Sequence, residues 1–261
     1  MLGCGASAGV PLIGGPDGRG EWGACDPAEP RNRRTRAAIA IESRAGERLL
    51  IDTPPDLRSQ LLTTAIRRVD AVLFTHTHAD HINGLDEVRI LNRIAGHPLP
   101  AYATATVLAE LARRFAYAFE PWEGAGFPRP VLVARNVAPG ETIAAAGMQV
   151  RLFDQDHGYS RTLGLRIADF AYSTDVRALD ETAFSALAGI DTWIVGCFQR
   201  RGPHSVHADL GRVLDWVRRL GVRRTVLTHM GTDMDWSWLT RHLPHGVEPG
   251  YDGLVLELPG P

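Results

Sequence analysis

The 261-residue sequence predicts a mixed α/β fold, and three observations support that class. Short apolar segments of strand-like composition recur along the chain, and segments with helical spacing lie between many of them. The first two strand segments are joined by a short turn, whereas later strands are separated by helices. Hydrophobic residues make up 44% of the chain, which is enough to bury a large core, so we expect residues 1–261 to form a single domain.

The strands are predicted from short apolar runs that are bounded by turn residues. They cover residues 37–42, 48–52, 70–74, a segment near 131, and residues 148–153, 163–167, 170–175, 191–197 and 223–228. Gly46 lies in the turn that joins the first two strands, and Pro54 stops the second. An apolar segment at residues 1–4 starts the chain and another at 254–258 closes it.

The helices are predicted where apolar residues recur at intervals of three or four positions. Their expected bounds are residues 56–66, 84–94, 106–118, 207–220 and 236–242. Asp56 precedes the first helix and is a candidate N-cap. Residues 120–130 are rich in Pro, Gly and aromatic residues, which indicates a loop or lid.

Composition and charge exclude several classes of protein. The net charge is −2 and the sequence pI is near 6.5, which argues against nucleic-acid binding through a basic surface. No apolar run reaches the roughly 18 residues of a membrane-spanning helix, and the N-terminus lacks the pattern of a secretion signal. The three Cys residues have no paired spacing, so no disulfide framework is indicated. We therefore expect a cytoplasmic protein with no membrane and no stable nucleic-acid partner.

Residues 75–81, Thr-His-Thr-His-Ala-Asp-His, carry the densest group of potential metal ligands. They directly follow the apolar strand predicted at 70–74. His76 and His78 point the same way on an extended segment, because side chains repeat with period two. Asp80 and His81 come after the turn and can approach from another side. Imidazole and carboxylate suit zinc, manganese and other first-row divalent ions, so the sequence predicts a metal site here.

The H-x-H-x-D-H arrangement of residues 76–81 resembles the signature of the metallo-β-lactamase superfamily of metal-dependent hydrolases. That resemblance requires three further ligands at the ends of later strands, and His157, Asp175 and His229 occur there in the required order. It also implies the architecture, which is a four-layered αβ/βα sandwich, classed as α/β or in some schemes α+β. Two mixed β-sheets pack face to face in that sandwich, and the helices lie outside.

The resemblance implies a binuclear centre of two divalent metal ions, Zn or Mn. It assigns His76, His78 and His157 to the first ion, Asp80, His81 and His229 to the second, and Asp175 to the bridge between them. Two ions about 3.5–4 Å apart can share a hydroxide, because together they lower the pKa of bound water. Asp80 is therefore expected to serve catalysis as well as metal binding. Asp52 matches the first acidic motif of the family and is expected to orient a ligand, with a simple turn or cap role as the alternative.

Two N-terminal segments, residues 2–11 and 31–36, resemble the PhnP-like branch of cyclic phosphodiesterases, to which the transfer-RNA 3′-processing nucleases are related. Members of that branch place a non-ligand His at the start of a helix, facing the metals. His207 fits this position best, and His204 is a second candidate for substrate binding. His207 could hydrogen-bond a phosphate oxygen or protonate the leaving alkoxide, aided by the helix N-terminus. A plain helix cap is the alternative role of His207.

The chain departs from its relatives near the N-terminus. Many members carry paired Cys residues that hold a structural zinc, but only Cys25 is present in that segment, so we predict no third metal. The arm by which the transfer-RNA nucleases grip their substrate has no counterpart other than the short segment 120–130.

Two further features fit either phosphate binding or a structural role. The Arg33, Arg34 and Arg36 cluster could meet a phosphate, or its members could be surface arginines that pair with Glu42 or Glu47. The Gly-rich segment 5–9 could cradle a phosphate with backbone N–H groups or form a tight turn.

The favoured function is a phosphodiesterase for a small-molecule substrate, a cyclic phosphate or nucleotide-like diester of the phosphoribosyl cyclic phosphate type. In that hypothesis a metal-bridging hydroxide attacks phosphorus and His207 assists the departing oxygen. The alternatives are a thioester or lactone hydrolase of glyoxalase II type, a transfer-RNA 3′-processing-like nuclease, and a non-enzymatic metal-binding protein. The natural substrate and the choice of metal are not fixed by the sequence, nor is the oligomeric state, for which a homodimer is one option because relatives often dimerise.

Overall fold

The computed structural model describes residues 1–121, 124 and 130–258, and within them it has twelve β-strands and eight α-helices. The strands are β1 (Ile39–Glu42), β2 (Arg48–Ile51), β3 (Ala71–Leu73), β4 (Leu99–Ala103), β5 (Leu132–Asn136), β6 (Thr142–Ala145), β7 (Met148–His157), β8 (Ser160–Ile167), β9 (Phe170–Ser173), β10 (Thr192–Gly196), β11 (Arg224–Thr228) and β12 (Val247–Pro249). The helices are α1 (Leu57–Thr63), α2 (Ala79–Ile82), α3 (Val88–Ala95), α4 (Ala105–Arg114), α5 (Ala116–Phe119), α6 (Glu181–Leu187), α7 (Leu210–Leu220) and α8 (Trp236–His242). Two 3₁₀ helices, Pro30–Asn32 and Leu85–Glu87, complete the regular elements.

The strands form two mixed sheets. The first has the order β1-β2-β3-β4-β5, and the second has the order β12-β11-β10-β9-β8-β7-β6. In the first sheet β1 and β2 form an antiparallel hairpin, and β2 to β5 are parallel. In the second sheet β6 to β9 are antiparallel, and β9 to β12 are parallel. Each sheet therefore begins with hairpin pairing and continues as parallel βα units.

The sheets pack face to face through one hydrophobic cluster, to which Ile51 and Leu73 of the first sheet and Tyr172 of the second contribute. A second cluster packs α1, α3 and α4 on the outer face of the first sheet, and a third packs α6, α7 and α8 on the second. Strand β10 shows why both faces of the second sheet are apolar. Trp193 and Val195 face the helices, whereas Ile194 faces the other sheet. These four layers confirm the predicted αβ/βα sandwich.

Several predicted bounds differ from the structure. Helix 106–118 is divided at Phe115 into α4 and α5, and helix 84–94 begins as a 3₁₀ turn. Asp56 occupies the N-cap position of α1 but caps no amide, because its carboxylate accepts from the Arg36 guanidinium at 3.0 Å and from the Arg36 amide at 2.9 Å. Strands β4, β6 and β12 and helices α2 and α6 were not predicted. The edge strands β6 and β12 are half exposed and carry a weak apolar signal, and Pro100 lies within β4.

Two predicted segments, the loop at residues 120–130 and the apolar segment that closes the chain, contribute no helix or strand to the described residues. The loop or lid at residues 120–130 lies largely outside the described residues. Residues 254–258 form no strand, and the last strand of the described chain is β12. No helix among the described residues is both long enough and apolar enough to cross a membrane.

The carboxyl ends of β2 and β3 in one sheet lie opposite those of β7, β9 and β11 in the other. Strands β2 and β3 are parallel, and β7 runs in the same direction as β9 because two antiparallel pairings separate them. Loops at this edge of the sandwich can therefore bring distant residues together while the buried strands hold them.

Candidate metal centre and active site

The loops that follow β3, β7, β9 and β11 bring all seven predicted metal ligands into two groups. The first ligand group is His76, His78, His157 and Asp175, and the second ligand group is Asp80, His81, Asp175 and His229. In each group the ligand atoms lie within 4.8 Å of one another, and Asp175 belongs to both. This is the division that the sequence resemblance implies, with the shared carboxylate between two sites.

The Asp175 carboxylate lies at the centre of the site and is 1% exposed. Its Oδ2 atom is 3.1 Å from His76 Nε2 and 3.1 Å from His81 Nε2, and its Oδ1 atom is 2.8 Å from His229 Nε2. The second carboxylate, Asp80, places Oδ2 3.3 Å from His81 Nε2 and 3.5 Å from His229 Nε2. Nitrogen and oxygen atoms from both ligand groups thus converge on one small buried volume.

The atoms that converge at the centre of the site lack well-aligned hydrogen-bond partners within the part of the chain that the structure describes. Both carboxylate oxygens of Asp175, Asp80 Oδ2 and the Nε2 atoms of His76, His81 and His229 are buried and have no well-aligned hydrogen-bond partner among the described residues. Buried polar atoms without partners are rare in folded proteins, and an ion is one of their ordinary explanations. Imidazole nitrogen and carboxylate oxygen are also the ligands that suit first-row divalent metals. The residues present therefore fit divalent metal ions.

The ligands are oriented by hydrogen bonds on the side away from the centre. Asp52 Oδ2 lies 2.7 Å from His81 Nδ1, and Asp52 also accepts from the Thr75 amide and hydroxyl, both at 2.8 Å. The Thr75 oxygen lies 3.0 Å from His76 Nδ1, so one carboxylate supports both imidazoles. His157 Nδ1 lies 2.7 Å from the Val206 carbonyl oxygen, which leaves Nε2 free for a metal.

Three of the residues that build the site have left-handed backbone conformations. The φ angle is 65° at Asp52, 46° at Asp175 and 53° at His229. Each follows a buried strand, and each non-Gly residue in this region costs on the order of 1–3 kcal/mol. Such strain concentrates at functional sites, because the sharp turn aims the side chain inward instead of along the strand.

Burial and neighbouring charges act in opposite directions on the carboxylates. Burial alone would raise the pKa of Asp175, but His229 and His81 outweigh it and hold that pKa well below its usual range. Burial would likewise raise the pKa of Asp80, but His81 and His229 hold it well below the ordinary value. Both carboxylates are therefore ionised at neutral pH, as metal binding requires.

The imidazoles divide into two classes by pKa. Burial, with the charge of His81, lowers the pKa of His76 to about 4, and burial also lowers the pKa of His157. Burial would also lower the pKa of His229, but Asp175 and Asp80 outweigh it and raise that pKa to about 9. Burial is likewise outweighed at His81, whose pKa is raised by the charges of Asp175, Asp52 and Asp80. In the absence of metal His229 and His81 therefore hold protons at neutral pH that His76 and His157 do not.

His207 lies at the site but belongs to neither ligand group. Its Nδ1 atom is 3.8 Å from Asp175 Oδ1, and its ring centroid is 4.9 Å from that of His157 and 4.8 Å from that of His229. Its ring stacks on Phe198 at 5.0 Å. Burial, followed by the charge of His229, lowers the pKa of His207 to about 2.

The predicted placement of His207 at a helix start is wrong. Helix α7 begins at Leu210, because the Asp209 side chain accepts from the Arg212 amide at 2.9 Å and caps the helix there. Before the helix, the Ala208 amide donates to the Val176 carbonyl at 2.8 Å. A bend that is held by this hydrogen bond, and not a helix N-terminus, places the imidazole at the site.

His204 lies outside both ligand groups, with its ring stacked on His207 at 5.1 Å and 4.7 Å from that of Phe198. It therefore supports the His207 ring from behind. Tyr159, which the sequence analysis missed, places its hydroxyl oxygen 3.4 Å from His78 Nε2. The available signal was its position two residues after His157, in the turn between β7 and β8.

The basic cluster and the Gly-rich segment have structural partners. Arg34 is 2% exposed and donates to the Met234 carbonyl at 2.7 Å, while Arg36 pairs with Asp56 and Arg33 lies over the Trp22 ring. The alternative pairing with Glu42 or Glu47 is wrong for Arg34 and Arg36. In the segment 5–9, the amides of Gly5, Ala6 and Gly9 donate to carbonyls of Thr35, Met230 and Ala6, as in a tight turn.

Comparison with known proteins decides the family. The model of the Beta-lactamase superfamily domain matches residues 47–230, which contain all seven ligands. The chain belongs to this superfamily. It is similar to a crystal structure described as a new diphosphatase from the PhnP family, with 32% identity, a TM-score of 0.86 and coverage of 97% of this chain and 93% of the other. The chain is thus a PhnP-like metal-dependent hydrolase of the metallo-β-lactamase fold.

Two curated relatives extend the comparison. An octanoyltransferase from Porphyromonas gingivalis (strain ATCC BAA-308 / W83) is 31% identical over 259 residues, which are 97% of this chain. The chain spans 50% of the length of that relative. The Anti-Pycsar protein Apyc1 from Bacillus phage 010DV004 is 27% identical over 214 residues, covering 75% of this chain and 82% of that protein.

Proposed function

We propose that this hydrolase is a binuclear phosphodiesterase that acts on a small cyclic phosphate or a nucleotide-like diester. The observation that carries the proposal is a non-ligand imidazole, His207, held 3.8 Å from the carboxylate that both ligand groups share. A phosphate bound at the centre would present its oxygens to that imidazole.

The two ligand groups support a pair of ions, because each supplies four side chains and Asp175 serves both. Divalent ions bound there would supply an activated water and would neutralise charge on the phosphate oxygens. The mixed nitrogen and oxygen set suits zinc and manganese alike, so either metal satisfies the proposal.

The role of His207 follows from how its ring is held. Phe198 stacks on the ring, and His204 lies beside it, so the imidazole has little rotational freedom. The lowered pKa of His207 keeps this imidazole neutral, so its fixed ring N–H can donate a hydrogen bond to a phosphate oxygen without first being ordered. Carbonyl chemistry at a thioester or lactone needs no phosphate-facing imidazole, which favours phosphorus as the centre of attack.

Hydrolysis of a phosphoric anhydride is the second candidate. The PhnP-family structure to which this chain is similar is described as a diphosphatase. Attack at phosphorus is common to both reactions, so His207 would have the same role. The octanoyltransferase relative supports no acyl transfer here, because half of that protein has no counterpart in this chain.

The test is a substrate screen with zinc-loaded and manganese-loaded protein. Bis(p-nitrophenyl) phosphate, 2′,3′-cyclic nucleotides, ribosyl cyclic phosphates, diphosphates and thioesters would be assayed side by side. We expect phosphodiesters to be hydrolysed fastest. Turnover confined to thioesters would refute the proposal, and turnover confined to diphosphates would select the second candidate.

The His207→Ala variant tests whether the non-ligand imidazole beside Asp175 contributes to hydrolysis. We expect kcat for bis(p-nitrophenyl) phosphate to fall by roughly 10²–10³-fold, the usual cost of removing one hydrogen-bond donor to transition-state charge, with the metal content unchanged. His97→Ala, at an exposed His, is the matched control and should keep full activity. An active His207→Ala protein would remove the proposed role.

A further inference from the structure

We propose that Tyr159 is a specificity-determining residue whose ring binds a planar ring, such as a nucleobase, carried by the phosphodiester substrate. The inference rests on the proposed phosphodiesterase function and adds the substrate class to it. Its basis is an aromatic face that is open to solvent and fixed beside the first ligand group.

The exposure of Tyr159 is the first observation. The residue is 80% exposed, and its ring centroid lies 5.7 Å from that of His78 and 6.3 Å from that of His157. Tyrosine is ordinarily at least half buried, because its ring contributes a large apolar area. Here that area is left at the rim of the metal centre, within reach of any group attached to a phosphate bound there.

The backbone under Tyr159 is rigid. The loop between β7 and β8 has two residues, Gly158 and Tyr159, closed by the His157–Ser160 pair. Gly158 has φ of +74°, and a Cβ there would lie 2.7 Å from Val206 Cγ1, so only glycine lets this turn pack so closely.

A carboxylate also holds the turn in place. The Gly158 amide donates to Asp156 Oδ1 at 2.6 Å, and Asp156 is paired with Arg177 at 2.7 Å. A ring on a short, pinned turn loses little entropy when it binds a ligand.

The phenol hydroxyl of Tyr159 contacts His78. His78 Nδ1 lies 3.3 Å from His157 Nε2 on the ligand side, whereas His78 Nε2 faces the Tyr159 hydroxyl oxygen at 3.4 Å. The hydroxyl thus sits against a ligand imidazole while the ring face stays open. At 3.4 Å this hydrogen bond is weak, so the main contribution of Tyr159 is its ring and not the orientation of His78.

Stacking on an aromatic side chain accepts any base, because every base has a π-face. The inference therefore predicts a preference for diesters that carry a base over those that lack one, with little discrimination between adenine and uracil. Hydrogen-bond recognition of one particular base would instead predict strong discrimination between adenine and uracil.

The experiment uses the metal-loaded protein and two esters that differ only in the base: adenosine 2′,3′-cyclic phosphate and methyl riboside 2′,3′-cyclic phosphate. The measured quantity is the ratio of their kcat/KM values. We expect Tyr159→Ala to lower this ratio by about tenfold, within the range of base stacking on an aromatic residue, and Tyr159→Phe to keep it. Leu62→Ala, which truncates another exposed apolar residue, is the control.

Three outcomes would overturn the inference. An unchanged ratio in Tyr159→Ala would remove the stacking role and leave the phosphodiesterase proposal intact. Equal losses on both esters in both Tyr159 variants, with reduced metal content, would show that the residue only orients His78. Hydrolysis of neither ester by the wild-type protein would refute the proposed cyclic-phosphate activity, and the inference with it.

Discussion

The two ligand groups share Asp175 but differ in burial, charge and support. All members of the second group are buried, whereas the first contains the half-exposed His78 beside the open ring of Tyr159. The second group has two carboxylates and the first has one. Asp52 supports the second group directly, through His81. The comparison teaches that one group is enclosed in the core, while the other reaches the surface through His78.

The largest expected effect concerns the residue that both groups share. Asp175→Asn removes the charge at the centre, so both groups lose affinity and we expect activity to fall by more than about 10⁴-fold, beyond the loss of a single acid, base or hydrogen-bond donor. Elemental analysis should find less than one ion per chain. Asp154→Asn, at a carboxylate paired with Arg161 on the surface, is the control. Full occupancy of one group in Asp175→Asn would show that the groups are independent.

The second prediction compares one imidazole from each group in the metal-free protein. His81 is 0% exposed and its ring lies among Asp52, Asp80 and Asp175, so His81→Ala leaves buried carboxylates without their partner. We expect a loss of about 3–5 kcal/mol in the free energy of unfolding. His78→Ala removes a half-exposed ring and should cost about 1 kcal/mol.

Urea denaturation of both variants, after chelation, measures this difference. Equal losses in the free energy of unfolding would contradict the assignment of the second group to the core. A larger loss for His78→Ala would show that the first group contributes more to the stability of the core.

One local pattern and one resemblance predicted the seven side chains that the structure brings together. Residues 76–81 are contiguous, and the superfamily resemblance assigned the other three; His157 ends β7, while Asp175 and His229 follow the buried strands β9 and β11. Apolar runs predicted most parallel strands of both sheets, but not β4 or β12.

The features that were missed depend on tertiary contacts. Residues 207–208 are not helical because the Ala208 amide donates to the carbonyl of Val176, which is distant in the sequence. Tyr159 is informative only because it is exposed, and a single Tyr in a turn carries no pattern that indicates exposure. Helix starts and surface aromatics are thus decided by packing that propensity does not include.

The third prediction is that metal affinity depends on pH more steeply in the second group than in the first. A metal must displace the proton from His229, whose pKa is raised to about 9, so below that value each unit by which the pH falls should lower affinity by about tenfold through this residue. The pKa of His76 is lowered to about 4, so a metal that binds this imidazole displaces no proton at neutral pH.

The same shift sets the stability of the metal-free protein. The proton on His229 stabilises the folded state fully below the unfolded pKa of about 6.5, and this contribution is lost as pH rises through about 9. Calorimetric metal titrations at successive pH values between 6 and 9 measure how the affinity of each ligand group changes with pH. Two parallel pH profiles would contradict the difference in proton binding between His229 and His76. Divergent profiles would assign the more pH-sensitive affinity to the second ligand group, because His229 must lose its proton before it can bind a metal.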